Sequence, residues 1–259
     1  MPRILVCYKW VLDEQDIRIV PGDLSLDLNK AKYKISDYDK NAIEAAVRMV
    51  EKDGGSVDVL TFGTAAVRQS LKDVLSRGPD KVYYIGDAAS EKADAYVTAN
   101  VLAAAIRKIG PYDLIICAEG SADVYNQQIA PRLAVLLGIP AVTFVKQVIL
   151  ENNQVVATRK LEDCTETVTV QGSVVVSVFP EIGEARIPSL KQVLAAAKKP
   201  SEELKISALE LADEALSPKT IRLDTKGFVM NRKNLIFKEA DQNDNVAKLL
   251  ASLAKEGLA

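Results

Sequence analysis

The chain has 259 residues, 48% of them hydrophobic, and 33 basic residues nearly balance 35 acidic ones to give a net charge of −2. This length suffices for one large domain or for a domain with an appendage, and the mixed charge excludes the basic footprint of a nucleic-acid-binding protein. No apolar run reaches the roughly 18 residues that span a bilayer, and the N-terminus lacks a signal-peptide core, so we expect a cytoplasmic protein without membrane insertion.

The sequence contains no histidine. This absence excludes Ser-His-Asp hydrolysis, Cys-His chemistry and most zinc sites, and no metal site is expected. The three cysteines, Cys7, Cys117 and Cys164, are odd in number and far apart, so they support neither a disulfide framework nor a C-x-x-C site. Cys7 and Cys117 lie in apolar strand patterns and are interpreted as small core residues.

The first half of the chain alternates between strand and helix patterns. Apolar runs predict strands at 3–8, 57–62, 81–85 and 113–117, and amphipathic patterns predict helices at 37–50, 64–76 and 92–109. Strands that alternate with helices in this way are typical of βαβ units. The sequence therefore predicts an α/β fold with a mostly parallel Rossmann-like sheet and helices on both faces.

The pattern changes after Pro140. Four β-rich runs follow, at 142–150, 153–161, 165–172 and 173–179. Period-two alternation from Thr165 to Val170 indicates antiparallel strands, either added to the edge of the sheet or packed as a β-meander.

The last part of the chain reads as an arm. Residues 186–200 predict a short helix that ends at Pro200, residues 201–236 show little periodicity, and residues 243–258 predict an isolated amphipathic helix. Such an arm buries little apolar surface by itself, so we expect it to wrap a partner. The chain is accordingly divided into an α/β domain, residues 1–185, and an arm with a terminal helix, residues 186–259.

The stretch 113–138 carries the strongest indication of a ligand site. It predicts a buried strand, a loop of small and polar residues and a helix, which is where ligands bind in open parallel sheets. Gly120, Ser121 and Ala122 let a ligand approach the backbone, and Asn126, Gln127 and Gln128 supply amide groups at a helix start that attracts phosphate. Asp123 is either a helix N-cap or a ligand contact.

Other loops are expected at the same edge of the sheet. They are Ser36–Asp39, Cys7–Lys9 and Phe62–Gly63, and together with the 118–129 loop they predict a pocket the size of adenosine. Ordinary loops of an α/β sheet are the alternative. No Walker loop and no G-x-G-x-x-G after a strand is present, and no acid–base cluster stands out. The sequence thus favours a nucleotide-binding protein over one that transforms a substrate.

Several motifs in order along the chain resemble the β subunit of electron-transfer flavoproteins, most closely its FixA-like branch. They are RILVCYKWVLDEQDIRI, SDYDKNAIEAAVRM, VDVLTFG, LSRGPDKVYYI and the loop at 113–131. The family's signature reads ATRKLEDCTETVTVQGSVVVS here, with Arg159, Glu162, Asp163 and Glu166 in the expected places. It departs at Ser173, where the pattern has proline, and at Cys164, where glycine or an acid is common.

The resemblance implies an electron carrier rather than an enzyme with its own turnover. Members form an obligate heterodimer with an α subunit, which binds most of the FAD near the interface. The β subunit buries AMP, or a second FAD in electron-bifurcating members. The carrier exchanges electrons with flavoprotein dehydrogenases and with a quinone oxidoreductase or an acyl-CoA reductase.

The resemblance also assigns residues. The cofactor-binding positions are Cys7, Ser36, Asp37, Tyr38, Asp39, Phe62, Ala118, Gly120, Ser121, Ala122, Asp123, Asn126, Gln127, Gln128 and Ile129. The bifurcating pattern D-G-D-T-A-Q-V-G-P departs here at Tyr125 and Asn126, which favours AMP over a second FAD. The stretch RIPSLKQVLAAAKKP resembles the partner-recognition loop, with Ile187 at its apolar anchor and Pro188 and Leu190 beside it.

Three alternatives differ in class. The first is a bifurcating-type β subunit with FAD in place of AMP. The second is an enzyme of the ATP-pyrophosphatase or nucleotidyl-transfer type, which needs a phosphate loop such as S-G-G-x-D-S that this chain lacks. The third is a non-redox nucleotide-binding module, which predicts a stable homodimer.

Overall fold

A computed structural model describes residues 1–151, 154–230 and 232–258. The strands are β1 (Arg3–Cys7), β2 (Trp10–Leu12), β3 (Arg18–Ile19), β4 (Leu26–Asp27), β5 (Tyr33–Ile35), β6 (Ser56–Gly63), β7 (Lys81–Gly86), β8 (Leu114–Ala118), β9 (Ala141–Glu151), β10 (Gln154–Lys160), β11 (Thr165–Gln171), β12 (Val174–Val178) and β13 (Ser201–Glu203). The α-helices are α1 (Asp37–Asp53), α2 (Leu71–Ser76), α3 (Ala95–Ile109), α4 (Ile129–Leu137), α5 (Leu190–Ala196) and α6 (Gln242–Lys255). The main sheet has the strand order β11-β10-β9-β12-β8-β1-β6-β7-β13.

Successive side chains of the central strands point into two apolar cores, one on each face of the sheet. Ile4 and Val6 of β1 join the core covered by α1, α2 and α5, whereas Leu5 and Cys7 join the core covered by α3 and α4. Strands buried on both faces read as continuous apolar runs, as β8 and β12 do. The predicted α/β fold, with helices on both faces, added antiparallel strands and a C-terminal helix, is confirmed.

The β-rich region after Pro140 contains two kinds of strand. Strands β9, β10 and β11 pair antiparallel at one edge of the sheet, as the period-two alternation predicts. Strand β12 instead lies inside the sheet, parallel to β8 and to β9. All five of its residues are buried, so it has no polar face that would place it in a meander. The run predicted from Asn153 begins outside the described residues, and β10 is described from Gln154.

Several elements differ from the prediction at their ends. Residues Ala65–Ser70 form a 3₁₀ helix rather than the first turns of α2. Helix α3 begins at Ala95, because the Asp94 carboxylate accepts a hydrogen bond from the Val97 N–H and caps it. The prediction missed the antiparallel pair of β2 with β5, as well as β13, which follows Pro200 and pairs parallel with β7.

Contacts within the chain define two compact units. One contains residues 1–18 and 27–225, and the other contains residues 19–26 and 226–259. In the second unit α6 begins after Asp241, near the predicted start, and its Val246, Leu249 and Leu250 are about half exposed. The division predicted at residue 185, between a nucleotide-binding part and a partner-recognition arm, stays a prediction. Among the described residues, no helix is both long and apolar enough to cross a bilayer.

Candidate functional site

A cavity of about 1080 Å³ opens at the carboxyl ends of β1, β6 and β8, which are neighbours in the parallel part of the sheet. This edge is where ligands bind in open α/β sheets, because loops from distant parts of the chain meet there. The structure brings eleven of the predicted binding residues to the lining: Cys7, Asp39, Phe62, Ala118, Gly120, Ser121, Asp123, Asn126, Gln127, Gln128 and Ile129.

Four predicted residues do not line this cavity. Asp37 and Tyr38 line a separate cavity of about 300 Å³, and the Tyr38 ring lies 5.3 Å from the ring of Tyr125. Ser36 is fully buried, and its Oγ accepts a hydrogen bond from the Ala122 N–H at 3.2 Å. The hydrogen bond between Ser36 and Ala122 therefore connects the segment 36–39 to the loop between β8 and α4. Within the segment 36–39, Asp39 alone lines the larger cavity.

The loop between β8 and α4 has a constrained backbone. A Cβ on Gly120 would lie 2.7 Å from the Tyr125 ring, so only glycine fits there without displacing that ring. Tyr125 and Gln127 adopt left-handed φ values of 44° and 55°. Non-glycine residues in this region carry strain of about 1 kcal/mol or more, and such strain is concentrated at ligand sites.

Helix α4 begins later than the sequence indicates, at Ile129, and Gln128 occupies its N-cap position. The interpretation of Asp123 as the N-cap of this helix is therefore wrong. Its carboxylate accepts hydrogen bonds from Lys9 Nζ and from Ser121 Oγ, each at 2.5 Å. No side chain of the described residues caps α4, so the N–H groups of its first turn, which begins at the lining residue Ile129, can bind an anion.

Two buried carboxyl groups lie in the lining. Asp39 is 5% exposed, and burial raises its pKa to about 8, although its Oδ2 accepts a hydrogen bond from the Lys9 N–H at 2.8 Å. Burial also raises the pKa of Glu119, and within the described residues its Oε2 has no hydrogen-bond partner. Both groups therefore favour their neutral forms more than exposed acids do.

Two thiols meet at the same edge of the sheet. Cys7 and Cys117 are buried, unoxidised and located on the paired strands β1 and β8, and both line the cavity. The contact with Cys7, together with burial, raises the pKa of the Cys117 thiol well above its ordinary value. Both residues belong to an apolar core, as the sequence indicates, and a protonated buried thiol is a poor nucleophile.

The lining includes residues that the sequence analysis did not single out. Thr64 follows β6, so the strand-end rule could have found it. Trp10, Lys92–Ala95, Pro218 and Thr220–Arg222 also line the cavity. Residues 92–95 lie at the predicted start of a helix, and residues 218–222 lie in a stretch without periodicity. No local sequence signal places either segment at this edge of the sheet.

The predicted docking residues lie outside the lining of the cavity. Ile187 is 94% exposed and Leu190 is 75% exposed, whereas Pro188 is half-buried. Ser189 begins α5 with a capping box, in which its side chain and that of Gln192 each bond the other's backbone. Two of the three predicted docking residues are thus exposed apolar side chains, and their role in docking stays a prediction.

The model of the electron transfer flavoprotein domain family matches residues 23–209. This range covers more than half of the chain and contains the loop between β8 and α4, most of the main sheet and the segment around Ile187. The chain belongs to the electron transfer flavoprotein domain family.

Proposed function

We propose that this chain is the β subunit of a heterodimeric electron-transfer flavoprotein, without turnover of its own. The observation that carries the proposal is the cavity at the carboxyl ends of β1, β6 and β8, in a chain that belongs to this family. The absence of histidine agrees with it, since a flavin supplies the redox chemistry and the protein has to bind, orient and tune it.

The proposed ligand of the cavity is AMP. The residues present fit a nucleotide, because the free N–H groups at the start of α4 suit a phosphate, and Asn126 and Gln127 offer amide groups. Apolar side chains such as Phe62 and Trp10 suit a base. In this proposal AMP is structural, and most of the FAD is bound by the α subunit near the interface.

Two surfaces are proposed to bind protein partners. The half-exposed face of α6 suits the α subunit, because an apolar helix face gains stability when a partner covers it. The segment around Ile187 suits a redox partner, such as a flavoprotein dehydrogenase or a quinone oxidoreductase. The two surfaces give this chain separate sites for assembly and for electron exchange.

Co-expression with an electron-transfer flavoprotein α subunit tests the proposal. We expect the two chains to co-purify as a one-to-one complex with flavin absorbance that a flavoprotein dehydrogenase can bleach. A homodimer of this chain that ignores the α subunit, or a complex without flavin, would contradict the proposal.

A further inference from the structure

The segment Pro218–Arg222, named the strap here, forms part of the cavity wall beside Lys92–Ala95. Thr220, Ile221 and Arg222 are exposed, and Ile221 is 83% exposed, so apolar packing does not fix their position. Their place at the cavity depends on polar contacts instead.

Asp94 supplies those contacts. Its Oδ2 accepts hydrogen bonds from the N–H groups of Lys219 and Thr220, at 2.8 and 3.0 Å, and from Thr220 Oγ1 at 3.2 Å. Its Oδ1 caps α3 through the Val97 N–H at 2.9 Å. Burial opposes ionisation, but these four hydrogen bonds outweigh it and lower the pKa of Asp94. An ionised carboxylate thus holds the strap at neutral pH.

The strap brings to the cavity a cation that has no ion-pair partner among the described residues. Lys9, another cation of the lining, is paired with Asp123 at 2.5 Å. Arg222 and Lys92 form no ion pair with any residue in the described parts of the chain. A guanidinium group binds phosphate through two parallel N–H donors, which makes it well suited to an anionic ligand.

We propose that the strap belongs to the nucleotide site, where Arg222 donates hydrogen bonds to a phosphate group of the ligand and Asp94 positions Arg222. This inference rests on the proposed function, since it takes an adenine nucleotide as the ligand. Arg222 is the binding residue, and Asp94 acts through the strap. The contacted phosphate is the one that AMP carries.

Binding of adenosine, AMP and ADP to the full chain, freed of bound nucleotide, tests this inference. Trp10 is the only tryptophan of the chain and lines the cavity, so its fluorescence reports occupancy, with equilibrium dialysis as the second readout. We expect R222Q to raise the Kd of AMP and ADP about tenfold and to leave adenosine unchanged. An effect on ADP alone would overturn the contact between Arg222 and the phosphate of AMP.

Two further variants separate positioning from folding. Asp94→Ser keeps a capping hydroxyl for α3 but lacks the oxygen that holds the strap, so it should weaken the same ligands as R222Q. The double variant D94S/R222Q should bind no more weakly than R222Q, because both changes remove one interaction. Arg18→Gln and Asp241→Ser, an exposed arginine and an N-cap outside the cavity lining, are the matched controls.

Failure of the proposed role of Arg222 and failure of the proposed function give different results. If R222Q leaves all three affinities unchanged, or weakens adenosine as much as AMP, the role of Arg222 is wrong while the nucleotide site stands. If the unaltered chain binds none of the three ligands, the proposed function fails.

Discussion

Glu44 and Arg186 form an ion pair that fixes the segment before Ile187 to helix α1. Glu44 Oε2 accepts hydrogen bonds from the Arg186 N–H and Nε, at 3.2 and 2.7 Å, and its Oε1 accepts from Nη2 at 3.1 Å. Burial opposes the charge on Glu44, yet the hydrogen bonds from Arg186 and Arg48 outweigh burial and lower its pKa. The segment proposed for docking thus begins beside a buried carboxylate.

Removal of that charge should destabilise the fold. Glu44→Gln leaves part of Arg186 without its anionic partner, and breaking a buried pair costs about 3 kcal/mol. Urea unfolding at neutral pH measures the loss. Glu51→Gln is the control, because Glu51 also binds Arg186 but its side chain is 55% exposed. We expect this variant to lose less than about 1 kcal/mol of its free energy of unfolding. Equal losses in the two variants would contradict this account of Glu44.

Ile187 is expected to act in docking alone. Ile187→Ala removes an exposed apolar anchor and should raise the Kd for the redox partner about tenfold, while the nucleotide content stays the same. Surface plasmon resonance with a flavoprotein dehydrogenase measures the affinity. Val135→Ala, at an exposed apolar residue of α4, is the control. An unaltered partner affinity for I187A would refute the docking role.

Asp39 should make stability depend on pH. Its pKa is about 8 in the folded chain against an ordinary value of 3.8, so between about pH 4 and pH 8 the folded chain holds a proton that the unfolded chain has lost. The free energy of unfolding therefore falls as pH rises through this range. Asp39→Asn removes that slope. Between pH 4 and pH 8 the free energy of unfolding of this variant should therefore rise, relative to that of the unaltered chain, by up to about 5 kcal/mol.

Urea unfolding at a series of pH values measures this difference. The isosteric asparagine still accepts the hydrogen bond from the Lys9 N–H, so packing is preserved. Parallel stability curves for the two proteins would show that Asp39 titrates normally in the fold.

Gly120 is expected to be needed for nucleotide binding. Gly120→Ala places a Cβ 2.7 Å from the Tyr125 ring, which must then move and disturb the loop. We expect the bound nucleotide per chain to fall at least fivefold, in keeping with a cost of about 1 kcal/mol or more. Chromatography of the released nucleotide measures it. The double variant G120A/Y125A should recover occupancy, and Gly86→Ala, which meets no atom within 3.5 Å, should be neutral.

Asn126 is expected to face the bound nucleotide. Asn126→Trp fills part of the cavity, so nucleotide content should fall below one tenth, whereas stability should change little because Asn126 is exposed. Val135→Trp adds the same bulk to α4 outside the lining and should retain the nucleotide. Full occupancy in N126W would remove this residue from the site.

The sequence predicts the central sheet and one edge of the site well, because strand ends and apolar runs are local signals. Cys7 and Ala118 end strands that meet in the fold, Phe62 lies one residue before the end of β6, and the strand pattern alone places them there. The start of α4 was less predictable, since Tyr125 and Gln127 adopt left-handed backbone conformations that local propensity disfavours.

The strap and the position of β12 depend on tertiary structure. Thr220 is held at the cavity by hydrogen bonds to Asp94, more than a hundred residues earlier, and no periodicity marks Thr220 or Arg222. Strand β12 is apolar except for Ser177 and is buried on both faces, so its sequence is compatible with several places in a sheet. Its neighbours β8 and β9 determine which place it takes.

The nucleotide content of the complex with the α subunit tests the central claim most directly. The purified heterodimer is denatured, and the released FAD and AMP are quantified per complex. The account predicts one FAD and one AMP. Two FAD and no AMP would contradict the interpretation of Tyr125 and Asn126, and a complex whose β subunit carries no nucleotide would contradict the assignment of the cavity itself.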